Sequence, residues 1–163
     1  HLGATVIGCV GSEAKAEIAR VAGCSHTILY NFEDVATRVL DITNGTGVPV
    51  SFDSVGRATL EASLDSLAPG GLLVSYGNAS GPILDLNVGI LGAKGSLYIQ
   101  RPTLATYIRN RELLETVSKD VLSVVSSGKV KINIDQTYPL SDAKQAHKDL
   151  ENRTTTGSTI LLP

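Results

Sequence analysis

The chain's most chemically informative residues lie at the tip of its first apolar run. Ala4-Thr-Val-Ile-Gly-Cys-Val10 reads as a buried strand that ends at Gly11-Ser12 and passes into a helix carrying Lys15 one turn inside. A helix start offers free N–H groups and a partial positive charge to an anion. In a dinucleotide-binding βαβ unit this turn follows the second strand and faces the adenosine ribose. An acid there would bond a 2′-hydroxyl, whereas a small hydroxyl with a cation suits the 2′-phosphate of NADP. Ser12 and Lys15 are of the second kind, with Glu13 between them. A helix cap beside a solvated lysine is the plain alternative. The glycine-rich turn that would hold the pyrophosphate does not precede this run.

Further turns of the same kind follow later strands. Ser54-Val55-Gly56 and Tyr76-Gly77-Asn78-Ala79 each close an apolar run on the side of a parallel sheet where ligands bind, and their small residues allow a ribose to approach. A tight strand-to-helix turn would have the same composition. Asp53 is placed to hydrogen-bond the turn that follows it rather than to act as a catalytic carboxylate. His147, between Ala146 and Lys148, reads as a packing or capping residue. His1 and His26 have no ligand spacing with it, so a zinc site is not expected.

These turns need a scaffold of alternating strands and helices. After the first strand, Glu13–Ala22 has helical apolar spacing and stops at Gly23. His26–Tyr30 is a second strand, Asn31 caps a helix bearing Val35, Val39, Leu40 and Ile42, and Asn44-Gly45 ends it. Pro49–Asp53, Gly71–Tyr76 and Ser96–Gln100 are further strands, with a helix over Ala58–Leu67 and a turn at Ala68–Gly71. Their continuous apolar character predicts a parallel sheet covered on both faces. Beyond Arg101-Pro102 the spacing predicts a long amphipathic helix over Tyr107–Ser127, a strand over Lys131–Asp135, a helix capped by Ser141 and running to about Asn152, and a last strand over Ser158–Leu162.

The 163 residues are 42% hydrophobic and 18% charged with a net charge of −2, the composition of a soluble globular domain without a basic nucleic-acid footprint. Cys9 and Cys24 form no metal-ligand or redox motif and are expected to be reduced and mostly buried, which favours the cytoplasm. Ser66–Leu84 is uncharged, but Pro69, Pro82 and several glycines exclude a membrane helix.

Taken in order, Gly11-Ser-Glu-Ala-Lys15, Phe52-Asp-Ser-Val-Gly56, Leu73-Val-Ser-Tyr-Gly-Asn78, Gly95-Ser-Leu-Tyr98, Arg101-Pro102, Tyr138-Pro-Leu140, Asp142-Ala143, Ala146-His147 and Leu150-Glu-Asn-Arg153 with Gly157 form a specific series. With them the chain resembles the zeta-crystallin-like NADPH:quinone oxidoreductases, a zinc-independent branch of the medium-chain dehydrogenase/reductases, over that family's second half. The resemblance implies an α/β fold: an incomplete Rossmann doubly wound parallel sheet without its glycine-rich first βα unit. A C-terminal segment would normally return to a GroES-like catalytic domain. Residues 1–103 would form the partial NADP-binding domain and 104–163 the returning segment. The family's strand order, 3-2-1-4-5-6, puts the absent strand at the centre, so an opening of about 10 Å is expected between Ala4–Val10 and Pro49–Asp53. A chain that begins at His1-Leu2-Gly3 and leaves two strand edges unmet is expected to be a truncated product, or to be complemented by another chain.

The resemblance implies NADPH as cofactor and hydride transfer to a quinone or related enone, with no metal and no obligatory protein nucleophile. The cofactor-binding residues it implies are Gly11, Ser12, Lys15, Tyr30 against the adenine, Ser54, Val55, Gly56, Tyr76, Gly77, Asn78, Ala79, then Pro102, Thr103 and Leu104 at the nicotinamide end, and Arg153 toward the phosphates. Relatives often carry Phe at the position of Tyr76 and Ser at that of Ala79, so a side-chain hydrogen bond from position 79 is lost here. The implied partners are the missing N-terminal half and a second copy paired through Ser96–Gln100. The chain alone is expected to be inactive. Another enoyl or alkenal reductase, or a non-catalytic NADPH-binding or crystallin-like protein, are the alternatives.

Overall fold

The computed structural model describes residues 1–163, which divide into two compact units: Thr5–Leu114, and His1–Ala4 together with Glu115–Pro163. The first unit contains β1 (Ile7–Val10), α1 (Glu13–Val21), β2 (His26–Leu29), α2 (Val35–Ile42), β3 (Val48–Asp53), α3 (Leu60–Asp65), β4 (Leu67–Ser75), α4 (Gly89–Ala93), β5 (Tyr98–Gln100) and α5 (Leu104–Tyr107). Every strand pair in it is parallel. This is an open, doubly wound α/β arrangement of Rossmann type, and it is incomplete.

The incompleteness lies where the sequence places it. β1 pairs only with β2, the order β3-β4-β5 forms a separate sheet, and no ladder joins β1 to β3. Residues on both flanking strands lack cover: Cys9 is exposed, Val50 is 38% exposed and Phe52 is 72% exposed. The expectation that Cys9 would be buried is therefore corrected. It stands on a strand that has a neighbour on one side only. Both cysteines are free, and Cys24 is half-buried.

The core lies against β3–β5. Leu64, Leu67, Leu73 and Leu97 are buried together, and Val48, Leu60, Ile90, Leu91 and Ile99 pack around them. Each fully buried leucine contributes about 1.5–3 kcal/mol, so the amino-terminal and middle parts of these strands form the best-packed part of the chain. Under β1 and β2 the buried apolar residues are Ala16 and Ile28.

Several element boundaries differ from the sequence expectation, each for a local reason. β1 is shorter than Ala4–Val10, in keeping with its single partner. α2 is capped by Asp34, whose carboxylate accepts from Thr37 N at 2.8 Å; Asn31 instead donates to Gly11 O at 2.8 Å. The fifth strand starts at Tyr98 because Ser96 is left-handed, with φ of 58°. The long helix expected over Tyr107–Ser127 starts later, as α6 (Arg111–Ser126), with Tyr107 ending the short α5, since the Asn110 side chain accepts from Leu113 N at 2.9 Å and begins a new helix. Ala68–Gly71 lies within β4, beside the register shift between Val48 and Val50, where Gly70 N bonds Gly95 O at 2.8 Å.

In the second unit β6 (Ile134–Pro139) pairs in parallel with β7 (Ser158–Leu162). β6 begins at Ile134, not at Lys131. A 3-10 turn, Leu140–Asp142, leads into α7 (Ala143–Glu151), which has no side-chain cap. The Ser141 hydroxyl meets the Asp142 carboxylate at 3.3 Å and does not cap the helix. Tyr138 donates its hydroxyl to Asp149 at 2.8 Å, which ties β6 to α7 and pushes the phenol above its ordinary pKa. No helix is long and apolar enough to cross a membrane.

Candidate functional site

The tips of β1 and β2 bring Gly11, Ser12, Lys15 and Tyr30 together. Ser12 has extended backbone and caps α1, its hydroxyl accepting from Lys15 N at 3.4 Å. At Gly11 the approach is close: a Cβ there would lie 2.7 Å from the hydroxyl at the end of the Tyr30 side chain. Glu13, which could oppose an anion at this tip, is turned back along the helix to Arg20 at 2.8 Å. Behind Tyr30, Glu33 accepts from Leu29 N at 2.7 Å and from Arg38 at 2.8 Å. The Leu29 N–H, aided by Arg38 and opposed by partial burial, holds the Glu33 carboxyl below its ordinary value. A small hydroxyl, a cation and the first N–H groups of a helix form a donor set that fits a phosphate monoester.

The turns after β3 and β4 are interlocked. Tyr76 N bonds Asp53 O at 2.9 Å, Ala79 N bonds Ser54 O at 3.3 Å and Ser80 N bonds Val55 O at 2.8 Å. The Ser80 hydroxyl adds a clasp, donating to Val55 O at 2.8 Å and accepting from Ala58 N at 2.9 Å. Glycine is obligatory at this seam. A Cβ on Gly77 would overlap the Ser54 carbonyl, and one on Gly56, at φ +92°, would lie 2.7 Å from Gly81 O.

Asp53 supports the seam from below. It is buried, and one carboxylate oxygen accepts from Val55 N at 2.7 Å and Gly56 N at 2.9 Å. The other accepts from Thr59 and Ser63 hydroxyls at 2.7 and 2.8 Å. Burial disfavours its charge, but these hydrogen bonds, led by Gly56 N–H, outweigh it and hold the carboxyl below its ordinary value. The expectation that Asp53 bonds its own turn is met.

Pro102, Thr103 and Leu104 lead from β5 into α5; the Thr103 and Thr106 hydroxyls lie 2.9 Å apart, and Leu104 is exposed. Arg153 belongs to the second unit, where it follows α7 with φ of 58° and its N–H bonds Leu150 O at 3.0 Å. His147 lines a groove of about 310 Å³ with Ala146, Leu150, Gly157, Thr159 and Leu161. No three His, Cys, Asp or Glu side chains gather where they could hold a metal ion. Sequence reasoning gave Asn31 only a helix cap, and it passed over Ser80 and the structural part played by Arg101, whose Nη1 donates to Ser75 O and Gly77 O, each at 3.0 Å. No local signal marks the last two, because their partners are distant in sequence.

The family profile described as zinc-binding dehydrogenase matches residues 22–161. A quinone oxidoreductase of Pseudomonas aeruginosa is 49% identical over 99% of this chain and 50% of its own length. A 2-haloacrylate reductase of Burkholderia is 47% identical over 100% of the chain and 49% of its own length. The crystal structure of an Escherichia coli quinone oxidoreductase complexed with NADPH superposes with a TM-score of 0.95 at 48% identity, covering 99% of this chain and 50% of that one. The chain thus spans about half the length of the curated relatives it matches.

Proposed function

Since the chain belongs to the zinc-binding dehydrogenase family, among its zeta-crystallin-like quinone oxidoreductases, we propose that it carries the NADPH-facing part of a quinone reductase. The observation that carries this reading is the Ser12–Lys15 helix start beside Gly11 and Tyr30, with Glu13 drawn away to Arg20. Ser12 and Lys15 would hold the 2′-phosphate, and Tyr30 would lie against the adenine. Ser54, Val55, Gly56, Tyr76, Gly77, Asn78 and Ala79 would line the ribose and nicotinamide path. Pro102, Thr103 and Leu104 would meet the nicotinamide end, and Arg153 would approach the phosphates.

When bound, NADPH supplies the hydride. The chain's own residues bind it, orient it and keep water from it. None of the residues assigned here is a nucleophile or a metal ligand. A quinone or enone would be the acceptor, and the similarity to a 2-haloacrylate reductase supports an alkenal- or enoate-type acceptor as the second reading.

In this proposal residues 1–103 serve the cofactor and 104–163 return toward a GroES-like catalytic domain. A glycine-rich first βα unit would fill the opening between β1 and β3, and that domain would be the remaining part of the partner segment. Tyr98, 66% exposed on β5, would meet its counterpart in a homodimer. The free thiols favour a cytoplasmic setting. Without its partner segment the chain is expected not to turn over.

The test is rapid-mixing oxidation of NADPH by 1,4-benzoquinone with the intact protein and with Lys15→Glu. Wild type should oxidise NADPH. The substitution should weaken NADPH about tenfold or more while changing NADH far less, because it removes a charge-assisted contact to the 2′-phosphate and adds repulsion. Binding of NADPH without turnover with any quinone or enone would favour a non-catalytic protein. Equal losses for both nucleotides would remove Lys15 from the site.

A further inference from the structure

The geometry points to Arg101 as the positioning residue that sets the Tyr76 turn, an inference that rests on the cofactor reading above. Arg101 directly follows β5, and its Nη1 donates to Ser75 O at 3.0 Å and to Gly77 O at 3.0 Å. These two carbonyls flank Tyr76 in the chain. One guanidinium nitrogen therefore fixes the backbone on both sides of a residue that is itself 53% exposed.

Asn78 completes the clamp. In the amide orientation that satisfies both neighbours, its nitrogen donates to Gly77 O at 2.8 Å and its oxygen accepts from Arg101 Nη2 at 3.3 Å. Behind the clamp, Ser75 is buried, with its hydroxyl 3.5 Å from Nη1. In front of it, Gly77 is pressed against the Ser54 backbone.

The residue type fits this task. A guanidinium is planar, keeps its charge at all working pH values and presents several donors in a fixed fork. A lysine ammonium could meet one carbonyl well but could not hold the same two carbonyls and the Asn78 amide in register. The bonds that define the clamp run to carbonyl and amide oxygens, so the charge strengthens them rather than forming an ion pair. Arg101 also adjoins Pro102. The turn after β4 and the Pro102–Leu104 segment are thus held to one another by a side chain that need not touch the cofactor.

In the intact protein, Arg101→Ala should lower kcat for NADPH-dependent reduction of 1,4-benzoquinone about tenfold, since small misplacements of a bound reactant are costly, and should change the NADPH Kd much less. Millimolar ethylguanidinium should restore part of the lost kcat, whereas Arg101→Lys should recover little. Amide exchange at Ala79 and Ser80 should quicken in Arg101→Ala with little change in Tm. That exchange reads the turn whether or not the protein turns over. Unchanged exchange, or a kcat loss that tracks Tm and is not relieved by ethylguanidinium, would overturn the assignment. If Arg101→Ala does not fold, Arg101→Gln carries the same comparison. An inactive wild type whose Arg101→Ala variant still shows faster exchange would instead count against the quinone reductase reading alone.

Discussion

The turns after β3 and β4 and the tip shared by β1 and β2 solve opposite problems within one unit. At the first, backbone meets backbone: Ser54, Val55 and Asp53 carbonyls accept from Ala79, Ser80 and Tyr76 N–H groups, and Asp53 bonds the turn from beneath. At the second, side chains meet backbone, through the Asn31 amide on Gly11 O and the Tyr30 hydroxyl over the Gly11 Cα. The interlocked turns are held to one another by hydrogen bonds within the chain. The tip carries an exposed tyrosine, Tyr30, and Lys15. The difference teaches that the glycines of the two regions are needed for different reasons, and substitution can separate them.

The largest expected effect is Gly77→Ala. Its Cβ would overlap Ser54 O and lie 2.7 Å from Ser54 Cα, so backbone must move on one strand end or the other. Overpacking against backbone that cannot rotate away should cost about 3 kcal/mol or more, read as a lower Tm of the intact protein. An unchanged Tm would mean that the two turns are not locked.

Asp53→Ala comes next. It leaves Val55 and Gly56 N–H groups and two hydroxyls without their acceptor, for a loss of about 2–3 kcal/mol. The pH dependence checks the mechanism. The folded pKa is depressed, so the stabilisation from Asp53 is fully present above the unfolded value of about 3.9 and is lost as pH falls through the lower folded value. Wild type should therefore lose part of its advantage over Asp53→Ala on acidification below about pH 4. A constant difference across that window would show that the carboxylate charge is not what holds the turn.

Much of this comparison was legible in the sequence because the fold follows from pattern. Continuous apolar runs with glycine-bearing turns mark parallel strands, and β2, β3 and β7 lie where those runs lie, to within a residue or two at each end. The open edge between β1 and β3 followed from the strand order that the family resemblance implies. The misplaced features depend on which of two similar polar residues a helix start uses. Asp34 took the cap expected of Asn31, and Asn110 began a helix inside an uninterrupted amphipathic pattern. Ser80 and Arg101 were illegible for another reason. Their partners lie 25 and 26 residues away in sequence, and only the register of β3 on β4 and of β4 on β5 brings them close. The turns after the strands could be read from local sequence, but the residues that hold those turns in place could not.

Gly11→Ala should have the smallest effect on stability and sharpens the contrast most. The added Cβ would sit 2.7 Å from the Tyr30 hydroxyl and 3.1 Å from its Cζ, but these atoms end a side chain that is 45% exposed and can swing outward. The Tm should therefore move by the equivalent of no more than about 0.5 kcal/mol, against the large loss in Gly77→Ala. Binding should respond instead. On the proposed reading, in which Tyr30 lies against the adenine, its displacement should raise the Kd for NADPH while amide exchange at Ala79 and Ser80 stays as in wild type. A Tm loss in Gly11→Ala comparable to that in Gly77→Ala would mean that the tip is as rigidly built as the interlocked turns, and the distinction between the two regions would fall.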